Sequence, residues 1–341
     1  MLLSSTNLIG VVMKKIILSL FVLSNLTFAI DDEELLSLAK KNHLAPIPKS
    51  KLELLELIDN PNSPLSDEKI ELGKVLFFDP RLSSSGLISC HTCHNLGLGG
   101  ADGISVATGH KWQENPLHLN SPTVYNSVFS FSQFYDGRSP DLADQAVGPI
   151  HADFEMASSA KEIEDKLSSI KGYQKLFDDA YGVGTKMTFD KVTDAIAAFE
   201  SILITPSRYD DYLLGDIKAL SDEAKEGFKL FMDKRCVSCH RGVALGGVLR
   251  FFRYDRFSYN DIGGFSGNDN NLVKVPTLRN ITQTAPYFHN GTVWDLKETI
   301  FEMAKVQLNI KISDDEASKI LEFLKSLDGD KPKVTYPMLP F

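Results

Sequence analysis

The pentapeptide CHTCH at residues 90–94 and the pentapeptide CVSCH at residues 236–240 decide how this chain is organised. Each motif has two cysteines separated by two residues and a histidine directly after the second cysteine. The chain contains 4 cysteines, and all of them lie in these two motifs. A chemistry that needs both cysteines and the histidine together would therefore account for every cysteine in the chain.

Covalent attachment of haem accounts for both motifs best. Two disulfides are the default for a secreted chain with four cysteines. A zinc site would leave the histidines unexplained, and a thioredoxin-like pair would explain only one of the copies. In c-type attachment each thiol bonds to a haem vinyl group, and the adjacent imidazole is the proximal iron ligand. The sequence thus predicts two haem c groups, attached at Cys90 and Cys93 and at Cys236 and Cys239, with His94 and His240 as iron ligands.

The N-terminus predicts export. From Met13 the chain reads MKKIILSLFVLSNLTFA, with two lysines, an apolar run, and the small residues Thr27 and Ala29 before an acidic stretch. This pattern is typical of a secretory signal peptide over residues 1–29, and the apolar run is too short and too interrupted to span a bilayer. An uncleaved anchor is the alternative. Haem c is attached outside the bacterial cytoplasm, so we expect a periplasmic protein that is not membrane-embedded.

Composition favours a soluble protein of two domains. The chain has 341 residues, of which 43% are hydrophobic and 24% are charged. Residues 1–29 contain two lysines and no acid, so their removal changes the formal charge from −9 to −11. This acidity argues against nucleic acid and anionic lipid and favours a partner with a basic face. Acidity that only maintains solubility is the alternative.

The sequence around the motif is also repeated. LSDEKIELGKVLFFD at residues 65–79 corresponds to LSDEAKEGFKLFMD at residues 220–233, and a Leu-Gly-Gly triplet follows each motif. Both copies begin with a serine suited to capping a helix. An internal duplication with two cytochrome c-like lobes is therefore predicted. The expected divisions are a signal peptide at 1–29, an N-terminal haem lobe at 30–208 and a C-terminal cytochrome c-like lobe at 209–341.

The fold is predicted to be mainly α. Residues 95–140 and 241–290 are rich in Gly, Asn, Pro and aromatic residues, and we expect them to form long loops around the haems. Residues 206–216 are the expected linker. One helical stripe of apolar residues is formed by Val192, Ala195, Ile196, Phe199, Ile202 and Leu203.

Several ordered stretches resemble the bacterial dihaem cytochrome c peroxidases over nearly all of the mature chain. The resemblance implies that one haem reduces hydrogen peroxide, and that the other takes electrons singly from a small periplasmic cytochrome c or copper protein (cupredoxin). It also implies a homodimer. The matching stretches are GHKWQ (109–113), NSPTVYNSVF (120–129), QFYDGR (133–138), LADQAVGPI (142–150), FEM (154–156), VPTLRNITQTAPYFHNG (275–291) and FEMAKVQL (301–308).

The resemblance also implies residue roles at the first haem. His110 matches a second axial ligand of the iron that must leave before peroxide binds. Glu155 matches the acid/base residue, and Gln145 its hydrogen-bonding companion. His118 competes with His110 on position alone, but it lies in a short insertion that departs from the family pattern. We expect reduction of the second haem to shift the loop at 99–120 and release His110.

At the second haem, the resemblance implies that Met303 opposes the proximal histidine. On spacing alone, Met156, Met187 and Met338 are also open. A methionine opposite histidine raises the reduction potential of a haem, which suits a centre that collects electrons from a mild donor. The resemblance also implies a calcium ion between the lobes, bound by Asn120 and by the backbone carbonyls of Thr284 and Pro286.

One position departs from the family pattern. Tyr135 stands where well-studied relatives have a tryptophan between the haems, and it is either a relay for electrons or a packing residue. Two other functions remain open. One is electron transfer without catalysis, against which Glu155 and Gln145 argue. The other is oxidation of residues in a partner protein by a dihaem enzyme; that relative uses tyrosine at the second haem, so Met303 argues against it.

Overall fold

The computed structural model describes residues 31–259 and 262–341, so the predicted signal peptide lies outside the described residues. Helices dominate, and the mainly α prediction is confirmed. Within the described ranges no helix is both long and apolar enough to cross a membrane. The helices are α1 (Asp32–Lys41), α2 (Lys51–Ile58), α3 (Asp67–Phe78), α4 (Cys90–Cys93), α5 (Leu142–His151), α6 (Ala160–Ser169), α7 (Lys171–Tyr181), α8 (Phe189–Ser201), α9 (Arg208–Leu213), α10 (Asp222–Asp233), α11 (Leu296–Met303) and α12 (Asp314–Lys325).

The first lobe is built on the crossing of α3 and α8. Ser66 caps α3 by accepting a hydrogen bond from the Lys69 amide, as the sequence predicts. The helices touch at Gly73, where a Cβ atom would stand 1.8 Å from the Ala195 carbonyl oxygen. Only glycine permits this approach, which brings the end of α3 and the apolar stripe of α8 together beside the first motif.

The second lobe repeats this crossing with α10 and α12. Ser221 caps α10, and a Cβ atom at Gly227 would stand 1.8 Å from the Lys319 carbonyl oxygen. Gly227 aligns with Gly73 when the repeated stretches at 65–79 and 220–233 are superimposed. The duplication read from the sequence therefore preserves one specific helix contact, and this contact leads into a CxxCH motif in each lobe.

Long loops complete both lobes, as predicted for residues 95–140 and 241–290. The second loop contains an antiparallel pair of short strands, β1 (Leu249–Phe251) and β2 (Leu272–Lys274). The amide of Lys274 at the end of β2 donates to the carbonyl oxygen of Tyr135 at 2.7 Å. The two loops thus meet across the lobes.

Each end of the chain packs against the lobe that the other half of the sequence forms. Near the N-terminus, Leu35 and Ala39 of α1 belong to the same buried cluster as α10 and α12. Near the C-terminus, the carbonyl of Pro340 accepts a 2.8 Å hydrogen bond from Arg81 of the first lobe. The division at residues 208 and 209 stays a prediction, and the packing crosses it at both ends.

The stretch at 206–216, expected to be a linker, is part of the second core. It contains α9, on which Tyr209 and Tyr212 are fully buried. Asp210 lies between them and forms a buried two-pronged ion pair with Arg279, at 2.9 and 2.8 Å. The stretch at 206–216 is therefore a packing element. It buries two tyrosines on one helical face, and its buried carboxylate is paired with an arginine from a distant loop.

Candidate haem-binding active site

A cavity of about 630 Å³ extends between the two CxxCH motifs. Its lining includes both cysteines and the histidine of each motif. The residues that the sequence suggests for catalysis, electron relay and calcium binding line it as well. The predicted residues on this lining are Cys90, Cys93, His94, Asn120, Tyr135, Gln145, Glu155, Cys236, Cys239, His240, Thr284, Pro286 and Met303.

The first motif lies on a short helix, α4. Thr92 and the preceding Ser89 cap its start reciprocally, through backbone and hydroxyl groups. Cys90 and Cys93 project from this turn into the cavity as free thiols. Burial raises the pKa of Cys93 to about 12 and that of Cys90 further, so both are neutral thiols. Two free thiols facing an apolar cavity suit thioether bonds to a haem edge.

The two motif histidines have the same orientation in their lobes. The Nδ1–H of His94 donates to the carbonyl of Pro122 at 2.9 Å, and that of His240 donates to the carbonyl of Leu245 at 3.0 Å. Burial lowers the pKa of His240 to about 4, which keeps its imidazole neutral. A backbone acceptor on Nδ1 leaves Nε2 as the free ligand nitrogen, the usual arrangement for a metal-binding histidine. The residues present therefore fit two haem irons.

Met303 lies on the cavity wall of the second lobe. It is the last residue of α11, and a π-helical turn (Ala304–Leu308) follows it directly. Such turns are rare and often mark functional sites. Met303 packs against the buried cluster that includes Phe252 and Phe265. It shares the cavity with His240, whereas the alternative Met338 is 90% exposed.

Glu155 and Gln145 both line the cavity of the first lobe. Gln145 lies on α5, and Glu155 follows that helix in the turn before Met156, which is buried. Burial raises the pKa of Glu155, and the nearby cation of Arg138 opposes the rise. Arg138 is itself held by stacking over the Phe134 ring at 3.4 Å. A carboxyl with a raised pKa in a cavity is suited to holding and releasing a proton near neutral pH.

His110 is not on the cavity lining in this structure. Its backbone amide donates to the carbonyl of Glu155 at 2.7 Å, while its buried Nδ1 has no hydrogen-bond partner among the described residues. Lys111 and Trp112, which follow it, both have positive φ angles of 55° and 59°. His118 also lies off the cavity lining. The assignment of His110 to the first iron stays a prediction.

Tyr135 lies where the two long loops meet. Its hydroxyl donates to the carbonyl of Asn120 at 3.2 Å, and its ring packs edge-on against Phe265 of the second lobe at 6.1 Å. Burial raises the pKa of the Tyr135 phenol, so it is protonated at neutral pH. The residue thus contacts both lobes, and its role as relay or as packing residue stays open.

Two residues of the predicted calcium site, Asn120 and Pro286, are in contact. Asn120 is 7% exposed, and its side-chain amide donates to the carbonyl of Pro286 at 2.7 Å. Its backbone amide donates to the carbonyl of His289 at 2.8 Å. An ion at this point would replace the Asn120–Pro286 hydrogen bond and would need the amide oxygen turned towards it.

Three residues on the cavity lining had no role predicted from the sequence. Arg138 ends the stretch QFYDGR (133–138), and the resemblance implies no role for it. Lys274 lies beside the loop junction, and burial lowers its pKa to about 8. Glu200 lies on α8 directly after Phe199. The sequence did contain a signal for Glu200. It is an acid four residues after Ile196, on a helical stripe that is otherwise apolar, which indicates a buried carboxyl group.

Comparisons with known proteins agree with this geometry. A family model described as di-haem cytochrome c peroxidase matches residues 67–218, and a cytochrome c model matches residues 224–328. Cytochrome c551 peroxidase of Pseudomonas aeruginosa is 44% identical over 308 residues, covering 86% of this chain and 87% of that protein.

Two more distant relatives show the breadth of this group. Methylamine utilization protein MauG of Methylorubrum extorquens is 33% identical over 333 residues, covering 89% of this chain and 90% of that protein. The crystal structure of a MauG-like protein associated with microbial copper homeostasis superimposes with a TM-score of 0.70 at 26% identity, covering 80% of this chain and 93% of that chain. The paired motifs, the duplicated lobes and these matches together make this chain a member of the di-haem cytochrome c peroxidase family.

Proposed function

We propose that this protein reduces hydrogen peroxide to water in the periplasm, with electrons from a small cytochrome c or cupredoxin. The observation that carries the proposal is the cavity shared by two CxxCH motifs, with Met303 on one side and Glu155 and Gln145 on the other. The relatives named cytochrome c551 peroxidase support it. When bound, the two haems supply storage for single electrons and the iron at which the O–O bond breaks.

Glu155 is the proposed proton-transfer residue. Peroxide cleavage requires a proton to be taken from one oxygen and delivered to the other, and a single carboxylate can do both. The Glu155 carboxylate takes the proton from the bound peroxide and returns it to the departing oxygen, which leaves as water. Burial supports this role, because it brings the pKa of this carboxyl closer to neutral pH.

Gln145 is the proposed orienting residue. It projects from α5, two turns before the turn that carries Glu155. An amide can donate and accept at once, so Gln145 can hold a peroxide oxygen without competing for the proton. Its replacement should affect peroxide binding and orientation more than proton transfer.

The second lobe is the proposed entry point for electrons. His240 and Met303 are the proposed ligands there, and a methionine ligand favours a high reduction potential. Electrons would pass to the first lobe through the junction at Tyr135. The acidic surface favours a donor with a basic face, and we expect association to weaken as ionic strength rises.

Loop movement is the proposed means of activation. His110 would hold the iron of the first lobe in the resting protein, and delivery of an electron to the second lobe would release His110. A calcium ion at Asn120, Thr284 and Pro286 would connect the His110 loop to the second lobe. Calorimetry with calcium on the holoprotein, repeated with Asn120→Ala, tests the ion, and loss of binding in the variant is the expected result.

Steady-state peroxide reduction by the exported holoprotein tests the whole proposal. Reduced cytochrome c is the electron donor, and its oxidation is followed on addition of peroxide. The expected result is rapid oxidation that requires peroxide. Oxidation of donor without dependence on peroxide would overturn the proposal in favour of electron transfer alone. Size measurement in solution tests the expected homodimer.

A further inference from the structure

Glu200 is a buried acid that the proposed reaction does not use. It lies one residue before the end of α8, is 5% exposed and lines the cavity of the first lobe. Its carboxyl group forms no hydrogen bond or ion pair with any described residue. Buried carboxyl groups are normally paired, so an unpartnered one that faces a cofactor cavity calls for a functional explanation.

The surroundings of Glu200 are apolar. The preceding Phe199 packs with Phe77 and Phe78 of α3, in a cluster that Cys90 also contacts. The close helix crossing at Gly73 fixes α8 against α3, so the carboxyl cannot easily turn towards solvent. The acid is therefore held beside the cysteine that anchors one edge of the first haem.

No cation in the described part of the chain pairs with the Glu200 carboxyl group. Burial raises the pKa of Glu200 to about 8, and the charge of Glu200 in turn raises the pKa of Cys90. On the packed helices, Lys69 pairs with Asp194 and Lys74 with Glu71. The other titratable groups on the elements packed against α8 are Asp67 and Glu68 of α3, Asp144 and His151 of α5, Lys161, Glu162, Glu164, Asp165 and Lys166 of α6, and His91 of the first motif.

We propose that Glu200 is a proton-holding residue that couples protonation of the first lobe to its reduction. For each electron delivered into this lobe, the Glu200 carboxylate takes up one proton from solvent. It releases that proton when the electron is consumed. The net charge of the cavity then stays constant through the cycle.

Electrostatics gives the reason for this coupling. The interaction between two charges grows as the local dielectric constant falls, so an uncompensated electron in an apolar cavity is costly. A nearby carboxylate would increase that cost, whereas a neutral carboxylic acid does not. Glu155 cannot serve this purpose as well, because it must be free to exchange its proton with peroxide. The two acids therefore have separate tasks.

The test is a redox titration of the holoprotein between pH 5 and pH 9, with no peroxide present. It rests on haem attachment at CHTCH but not on the peroxidase reaction, so the two proposals can fail separately. Coupling to one proton changes the reduction equilibrium of the first haem up to tenfold per pH unit, about 59 mV for a one-electron step. We expect this slope around pH 8, near the pKa of Glu200, in the native protein and its loss in Glu200→Gln.

Two controls keep the result interpretable. Glu71→Gln makes the same chemical change at an exposed site on α3 and should keep the native slope. Glu200→Asp retains an acid and should restore the slope with a shifted midpoint. Infrared difference spectra of the reduced and oxidised protein should show a protonated carboxyl band that Glu200→Gln removes. A pH slope and a carboxyl band that are both unchanged in Glu200→Gln with both haems attached would overturn the proposal.

Discussion

Replacement of Glu155 by glutamine is the most direct test of the proposed chemistry. The amide has nearly the same shape, so the cavity lining and the attached haems should be preserved. It cannot accept a proton, however, and Gln145, which also lines the cavity, cannot replace it in that role. Any large loss of rate would therefore report proton transfer rather than cavity collapse.

The expected loss follows from the setting of Glu155. Loss of a positioned acid/base group lowers a rate by about 10²–10⁴-fold, or roughly 2.7–5.4 kcal/mol of barrier at 1.36 kcal/mol per tenfold. The other acids on the cavity lining are Asp136, which pairs with Arg138, and Glu200, which lies on α8. We expect neither to substitute, so the loss should lie towards the upper end of this range.

The assay is the second-order rate of peroxide reduction by protein with both haems attached. Asp153→Asn is the matched control, because it changes an exposed acid two residues away. It should leave the rate unchanged. If Glu155→Gln retained a tenth or more of the native rate with a full haem content, the assignment of proton transfer to Glu155 would be refuted.

Four further outcomes follow from the geometry. Arg138→Met removes the cation that lowers the pKa of Glu155, so the fall in rate on acidification should begin at a higher pH, as a pH–rate profile would show. Gly227→Ala forces apart two helices that now touch, and should lower the free energy of unfolding by about 1–3 kcal/mol in denaturant titrations. Arg279→Met leaves Asp210 buried without its counter-charge, and should destabilise by about 3–5 kcal/mol, with the double variant Asp210→Asn/Arg279→Met recovering part of the loss. Tyr135→Phe should keep both haems and slow electron transfer between them after rapid reduction of the second haem; an unchanged rate would limit Tyr135 to packing.

Much of the fold could be predicted from local sequence. The serine caps, the repeated stretch before each motif and the apolar stripe of α8 are short-range patterns, and the structure has the expected helices at each. The contact between α3 and α8 at Gly73 is different in kind. From sequence alone, a glycine within a helical pattern indicates only lower helix stability. Its role in packing becomes visible only when the helix that it contacts is known.

Residues whose hydrogen-bond or ion-pair partners are distant in the sequence were harder to predict. The stretch at 206–216 contains a proline, a glycine and several charges, which are typical of a linker, yet Asp210 is buried because Arg279 reaches it from 69 positions away. At the site, the motifs identified the cysteines and histidines without help from the fold. Glu200 is unpaired because no hydrogen-bond donor or cation among the described residues pairs with its carboxyl group, and no sequence pattern indicates such an absence.

The exchange of chain ends has a consequence for biogenesis. Tyr336, in the last segment, packs at a tilt against the Phe78 ring and contacts the ring of His91, which lies between the cysteines of the first motif. A polypeptide that crosses a membrane from its amino terminus delivers CHTCH early and this covering segment last. The attachment machinery would therefore meet the first motif while it is still open on that side, and closure would wait for the final residues to arrive.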